Sequence, residues 1–159
     1  MLFSFGVVAL AGALAAGATE ARRNWFGDPW FQVSRGVAAC PEPLGPLITE
    51  SEALRESHPR AARGTRGHLE GRCRHPSSFD YDKEIAENIK RSTQKGSFLP
   101  RSSTLWVLVQ GRRVWIYGCV PSDYPRGQLE KALRKIPDVE LAMEEMRVGN
   151  NGPTPYRTK

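Results

Sequence analysis

TLWVLVQGRRVWIYGCV, residues 104–120, is the stretch of sequence that decides the fold. Two runs of alternating apolar residues flank Gly111-Arg112, a pattern typical of two antiparallel strands joined by a two-residue turn. The glycine supplies the positive φ that a type II′ turn needs. Because side chains along a strand alternate with a period of two, the turn fixes the register: Val109 opposes Val114, and the other pairs follow in step.

This register sorts the hairpin side chains onto two faces. The first face is aliphatic, and we expect two helices to pack on it; it holds Leu105, Val107, Val109, Val114, Ile116, Gly118 and Val120. The second, called here the aromatic face, holds Trp106, Leu108, Trp115, Tyr117 and Cys119. Exposed apolar patches of that size are rare on monomers, so we expect this face to be covered or to serve as an interaction face.

Two helices and a third strand complete the predicted domain. Asp80 or Asp82 caps a helix that runs to about residue 94, and a second helix opens near Ser122. The second helix carries an apolar stripe at helical spacing, formed by Leu129, Ala132, Leu133 and Ile136. The third strand covers residues 139–148, with a bulge where the alternation slips. The fold class is therefore α+β: a small αββαβ domain with a three-stranded sheet and two helices on one face.

Residues 80–148 resemble the BON domain, a family named for bacterial osmotic-stress and nodulation proteins. The run from Val114 to Val120 is similar to the family's second strand, and Ile136-Pro137-Asp138-Val139 to the entry of its last strand, where the family usually has Gly in place of Asp138. The matching positions are fold positions: Val114, Ile116, Gly118, Val120 and Val139. The resemblance implies an envelope or periplasmic module, often linked to phospholipid, with no catalytic residue and no cofactor.

The domain is preceded by a loop-rich extension over residues 19–79 and followed by a flexible tail over 149–159. The extension carries one short helix from about Glu50 and an unusual number of aromatic side chains, namely Trp25, Phe26, Trp30 and Phe31. We expect residues 24–79 to pack across the aromatic face. The alternative is that a membrane or a partner protein of an envelope or secretion assembly docks on that face.

The three cysteines are Cys40, Cys73 and Cys119, so one disulfide leaves one thiol over. A Cys40–Cys73 bond, which staples the extension to itself, is the favoured pairing. If the extension packs on the aromatic face, a bond from Cys119 to Cys40 or Cys73 becomes the alternative.

Residues 1–18 contain no charged side chain and end in a small-residue cleavage pattern, which predicts a signal peptide and a periplasmic location. Arginines follow the apolar run instead of preceding it, so the alternative is an anchor in the inner membrane.

The net charge is +6, but the basic residues are interspersed with acidic ones, and we expect no nucleic-acid partner. The candidate contacts to anionic lipid headgroups are Arg112, Arg113, Lys131, Arg134 and Lys135; the alternative is ordinary surface charge. Glu144-Glu145 is interpreted as a solvated strand edge. No nucleophile motif, phosphate-binding loop or metal-ligand spacing is present, which favours a non-enzymatic protein without a metal.

Overall fold

The structure, a computed structural model, describes residues 20–94, 98–149 and 152–159. Its strands are β1 (Trp30–Arg35), β2 (Thr104–Gln110), β3 (Arg113–Val120) and β4 (Leu141–Val148). Its helices are α1 (Glu50–Ala61), α2 (Thr65–Leu69), α3 (Asp82–Gln94) and α4 (Gln128–Leu133), with a 3₁₀ turn over Ser78–Tyr81. The predicted α+β class is thus confirmed. The predicted signal peptide lies outside the described residues, within which no helix is both long and apolar enough to cross a membrane.

The hairpin forms in the predicted register, from Gln110 opposite Arg113 to Thr104 opposite Cys119. The turn type differs from the prediction. Gly111 and Arg112 both have positive φ, 62° and 65°, which defines a type I′ turn and not type II′. The reason lies in α3, where a buried carboxylate accepts the backbone N–H groups of both turn residues and holds them in this conformation.

The sheet has four strands in the order β1-β2-β3-β4, so the prediction of three was wrong. The additional strand, β1, comes from the extension and pairs antiparallel with β2, with a register shift between Gln32 and Ser34. Its side chains serve both faces, because Phe31 and Val33 pack against the aliphatic core while Trp30 lies opposite Leu108 on the aromatic face. The fourth strand, β4, pairs parallel with β3 in one unbroken register, so the predicted bulge is absent.

The aliphatic face forms the core with α3 and α4, as predicted. Ile85 and Ile89 of α3 and Leu129 and Leu133 of α4 are almost completely buried there. The fold positions Val114, Ile116, Gly118 and Val120 are buried in β3, and Val139 is partly buried against the same core. Gly118 has φ +130°, and a Cβ there would lie 2.0 Å from the carbonyl oxygen of Thr104, so the two strands approach each other only because this position has no side chain.

Several helix and turn positions differ from those that the sequence predicts. The second helix of the predicted domain, α4, begins at Gln128 and not at Ser122 or Asp123, because the intervening segment folds back to bury Tyr124. Asp138 takes φ 66°, a left-handed conformation that Asp tolerates better than most residues. In the extension, α1 begins at Glu50 as predicted, behind a capping box formed by Thr49 and Glu52, and α2 is an additional short helix where a loop was expected.

The C-terminal segment differs from the flexible tail that its composition predicts. Residues 152–159 return across the molecule: Pro43 and Thr158 form a β-bridge, and the Leu44 N–H donates to the Arg157 carbonyl at 2.7 Å. The Tyr156 hydroxyl donates to the Pro41 carbonyl at 3.0 Å. Composition could not predict these contacts, because their partners lie more than a hundred residues earlier in the chain.

Candidate functional site

The aromatic face is covered by the chain itself. Trp106 is 8% exposed and Leu108 is 6% exposed. Both residues lie in β2, where β1 of the extension pairs with it. The ring of Trp30 lies edge-on to the ring of Tyr117, with centroids 5.7 Å apart, and Tyr156 contacts the same Tyr117 ring from the C-terminal segment at 5.9 Å. Burial raises the pKa of the Tyr117 hydroxyl to about 12. The expected packing is therefore observed for the part of the extension around Trp30 and Cys40, and the C-terminal segment supplies a further contact through Tyr156.

A disulfide joins the extension to this face. It links Cys40 to Cys119, so the favoured Cys40–Cys73 pairing was wrong and one of its alternatives was right. The Thr104 side chain holds the same loop by accepting from the Val37 N–H at 2.7 Å and donating to the Val37 carbonyl at 3.0 Å. Cys73 is left as a free, partly buried thiol in the segment after α2.

These contacts change the meaning of the predicted interaction face. Trp106 and Leu108 are buried, while Trp115 and Tyr117 are half-buried. Trp106 and Leu108 therefore contact other parts of the chain, whereas Trp115 and Tyr117 keep part of their surface exposed.

The most buried ion pair among the described residues ties the extension to the hairpin. The Asp28 carboxylate accepts hydrogen bonds from both terminal nitrogens of the Arg60 guanidinium, at 2.8 and 2.5 Å, and from the Gln110 side-chain amide at 2.8 Å. The guanidinium also lies between the rings of Phe26 and Phe79, at 3.8 and 4.7 Å from their centroids. A cavity of about 430 Å³ opens beside this pair. Since the charges of the pair already satisfy each other, we interpret the pair as a structural clamp.

A second buried carboxylate shapes the hairpin turn. Asp82, 3% exposed at the start of α3, accepts the Gly111 N–H at 2.5 Å and the Arg112 N–H at 2.8 Å. Burial raises the pKa of this carboxyl to about 6, although the two N–H donors favour its charged form. The sequence presents Asp82 as a helix-capping candidate, whereas its partners are 29 and 30 residues away in the chain.

Glu144 has a role that the sequence interpretation missed. It faces the aliphatic side of β4, opposite Ile116, where an apolar residue would be expected. Its carboxylate accepts the Tyr124 hydroxyl at 2.8 Å, the Gly127 N–H at 2.7 Å and the Glu130 N–H at 3.1 Å. The acid thereby supplies the cap that Gly127 cannot give to α4, and the prediction of a solvated edge was wrong for this residue.

The predicted lipid-contact residues do not form one patch. The Arg112 guanidinium donates to the Asp138 carbonyl at 2.9 Å and lies over the ring of Tyr81, so it serves the fold. Arg113 is half-buried at the start of β3. On and just after α4, Arg134 is paired with Glu130, whereas Lys131 and Lys135 are exposed.

A groove of about 340 Å³ between α3 and α4 brings Lys135 together with a cation that the sequence interpretation left out. Arg91, in the last turn of α3, lines the groove with Lys135 and Asn88, and Phe98 and Ile136 provide apolar lining. Arg91 forms no ion pair within the described part of the chain; its guanidinium bonds to the Asn88 side chain. The sequence feature that could have identified Arg91 is its position at the C-terminal end of a predicted helix.

The described residues contain no group of His, Cys, Asp or Glu side chains that could hold a metal ion. His68 and Cys73 are close, but the contact is between the imidazole Nδ1 and the Cys73 backbone carbonyl, at 3.1 Å.

Comparisons with protein-family models, curated proteins and solved structures find no match for this chain.

Proposed function

We propose that this protein is an exported, non-enzymatic module of the bacterial envelope that binds anionic phospholipid headgroups in the groove between α3 and α4. The observation that carries the proposal is the composition of this groove, with Arg91 and Lys135 placed beside the apolar surface of Phe98 and Ile136. A phosphodiester needs cationic donors, and the glycerol carbons next to it need apolar contact.

The electrostatics favour reversible binding. Each basic residue near an anionic membrane surface contributes about 1 kcal/mol, and the contribution decays within a Debye length. Arg91 and Lys135 are supported by Lys131, four residues earlier and also exposed. Three such charges give on the order of 3 kcal/mol, which corresponds to weak, salt-sensitive attachment and not to insertion.

The export part of the proposal rests on the Cys40–Cys119 bond, because disulfides persist in oxidising compartments and are rare in the cytosol. The order α3-β2-β3-α4-β4 also follows the arrangement that suggested the BON resemblance. The periplasm and the BON family are thus parts of the proposal, and the inner-membrane location is the alternative.

Co-sedimentation with vesicles tests the proposal. We expect the protein to pellet with phosphatidylcholine vesicles that contain phosphatidylglycerol and to stay in solution with phosphatidylcholine alone. The double variant Arg91→Glu/Lys135→Glu should lower the partition coefficient by at least about tenfold. Arg55→Glu reverses one exposed charge on α1 and is compared at equal net charge with the single groove variant Lys135→Glu; the α1 control should cost much less.

Two results would refute the proposal: equal binding to neutral and anionic vesicles, or an equal loss in the groove variant and in the α1 control. Far-UV circular dichroism and thermal unfolding of each variant establish that the comparison is made between folded proteins.

A further inference from the structure

We propose that the outer edge of β4 pairs antiparallel with β4 of a second copy of this chain, which joins the two sheets into one. The strand is the last in the sheet, and its outer edge forms no hydrogen bond with any other described part of the chain. A regular, unpaired strand edge is a template for strand addition.

The backbone direction of β4 identifies the groups that face outward. The Gly149 N–H donates to the Val120 carbonyl at 2.9 Å, so the odd-numbered residues of β4 direct their backbone groups toward β3. The even-numbered residues therefore direct their N–H and C=O groups away from the sheet; they are Ala142, Glu144, Met146 and Val148.

The two edges of the sheet differ in the features that discourage pairing. At the other edge, β1 has a register shift between Gln32 and Ser34, an irregularity that natural sheets use to blunt an edge. By contrast, β4 runs in unbroken register from Leu141 to Val148. The edge of β4 is the one left open.

Charge complementarity selects the second copy as the occupant and fixes its register. Glu145 and Arg147 are two residues apart on the same face of β4, and neither forms an ion pair within the described residues. The Arg147 guanidinium donates through one Nη to the Ala39 carbonyl at 3.2 Å, while its Nε is buried without a hydrogen-bond partner among the described residues. If Met146 lies opposite its own copy, each Glu145 faces the Arg147 of the other chain, twice by symmetry.

The neighbouring antiparallel registers bring like charges together. A shift of one residue in each chain places Glu145 opposite Glu145 in one direction or Arg147 opposite Arg147 in the other, and like charges directly opposite each other are destabilising. The register centred on Met146 is thus the one that the charges of β4 favour.

Sedimentation equilibrium of the full chain with its disulfide intact tests the proposal, with Cys73→Ser in every sample so that no intermolecular disulfide is counted. We expect a concentration-dependent dimer. Arg147→Glu should weaken dimerisation by about tenfold, since it replaces two attractive cross-strand pairs with repulsive ones. The swap Glu145→Arg/Arg147→Glu restores complementarity in this register and should recover affinity to within about threefold of the parent.

Arg55→Glu, an exposed position on α1, is the matched charge-reversal control and should leave dimerisation unchanged, and circular dichroism verifies the fold of each variant. A chain that stays monomeric at all concentrations overturns the proposal without needing any variant. A folded swap variant that dimerises as poorly as Arg147→Glu overturns the proposed register.

Discussion

Removal of the Cys40–Cys119 bond should destabilise the whole fold, because this bond closes most of the chain between the extension and β3 into a loop. The two cysteines are separated by 79 positions in the sequence. A crosslink that closes a loop of that length lowers the entropy of the unfolded chain by an amount equivalent to about 4.5 kcal/mol at 25 °C. Since a domain of this size is typically stable by only about 5–15 kcal/mol, the double variant Cys40→Ala/Cys119→Ala should lose a large part of its free energy of unfolding.

Urea unfolding followed by tryptophan fluorescence is the appropriate assay, because Trp30 and Trp106 both lie where the extension meets the sheet. The parent protein in reductant should fall to the stability of the double variant, which should itself be insensitive to reductant. The matched control, Cys73→Ala, removes the free thiol and should behave as the parent does. A loss below about 1 kcal/mol in the double variant would show that the bond does not constrain the unfolded chain as argued.

Three further predictions test other parts of the fold. Gly118→Ala should lower the free energy of unfolding by about 3 kcal/mol or more, because its Cβ would lie 2.0 Å from the Thr104 carbonyl oxygen. The control is Gly127→Ala, where φ is also positive but the space is open, and it should lower the free energy of unfolding by about 1 kcal/mol in the same urea titration. Glu144→Gln should cost about 1–2 kcal/mol in urea unfolding, and an equal stability would argue against its capping of α4. The folded pKa of Asp82, about 6, lies above its ordinary 3.8, so the folded state binds the proton more tightly and the stability contributed by this group falls as pH rises from about 4 to about 6. A carboxyl-carbon NMR titration of Asp82 with a midpoint near 4 would contradict this.

The hairpin and its two faces could be predicted because their cause is local. A two-residue turn fixes the register of both strands, and the period of the strand then assigns every side chain to a face. The cover of the aromatic face was also foreseeable, since two tryptophans and a tyrosine on one side of a sheet require burial. The sequence also contained, in its aromatic extension, the segment that provides the cover.

The remaining features depend on partners that are distant in the chain. Residues 30–35 lack a strand pattern that stands out from their neighbours, and they become β1 only because the edge of β2 is available to pair with them. The Cys40–Cys119 pairing follows from that placement and not from spacing. Glu144 looks like a break in the alternation of a strand until Gly127 and the start of α4 are brought beside it.

Pairing through β4 would also change how the groove meets a membrane. The two-fold axis of an antiparallel strand pair is normal to the sheet, so the aliphatic faces of both copies, and with them both α3/α4 grooves, point to the same side. Two groove sites on one side bind a vesicle with an avidity that neither has alone. Arg147→Glu leaves Arg91 and Lys135 in place, yet it should lower co-sedimentation with phosphatidylglycerol vesicles at concentrations where the parent is dimeric. At high dilution, where both proteins are monomeric, their partition coefficients should converge, and a difference that persists there would mean that Arg147 contacts lipid directly.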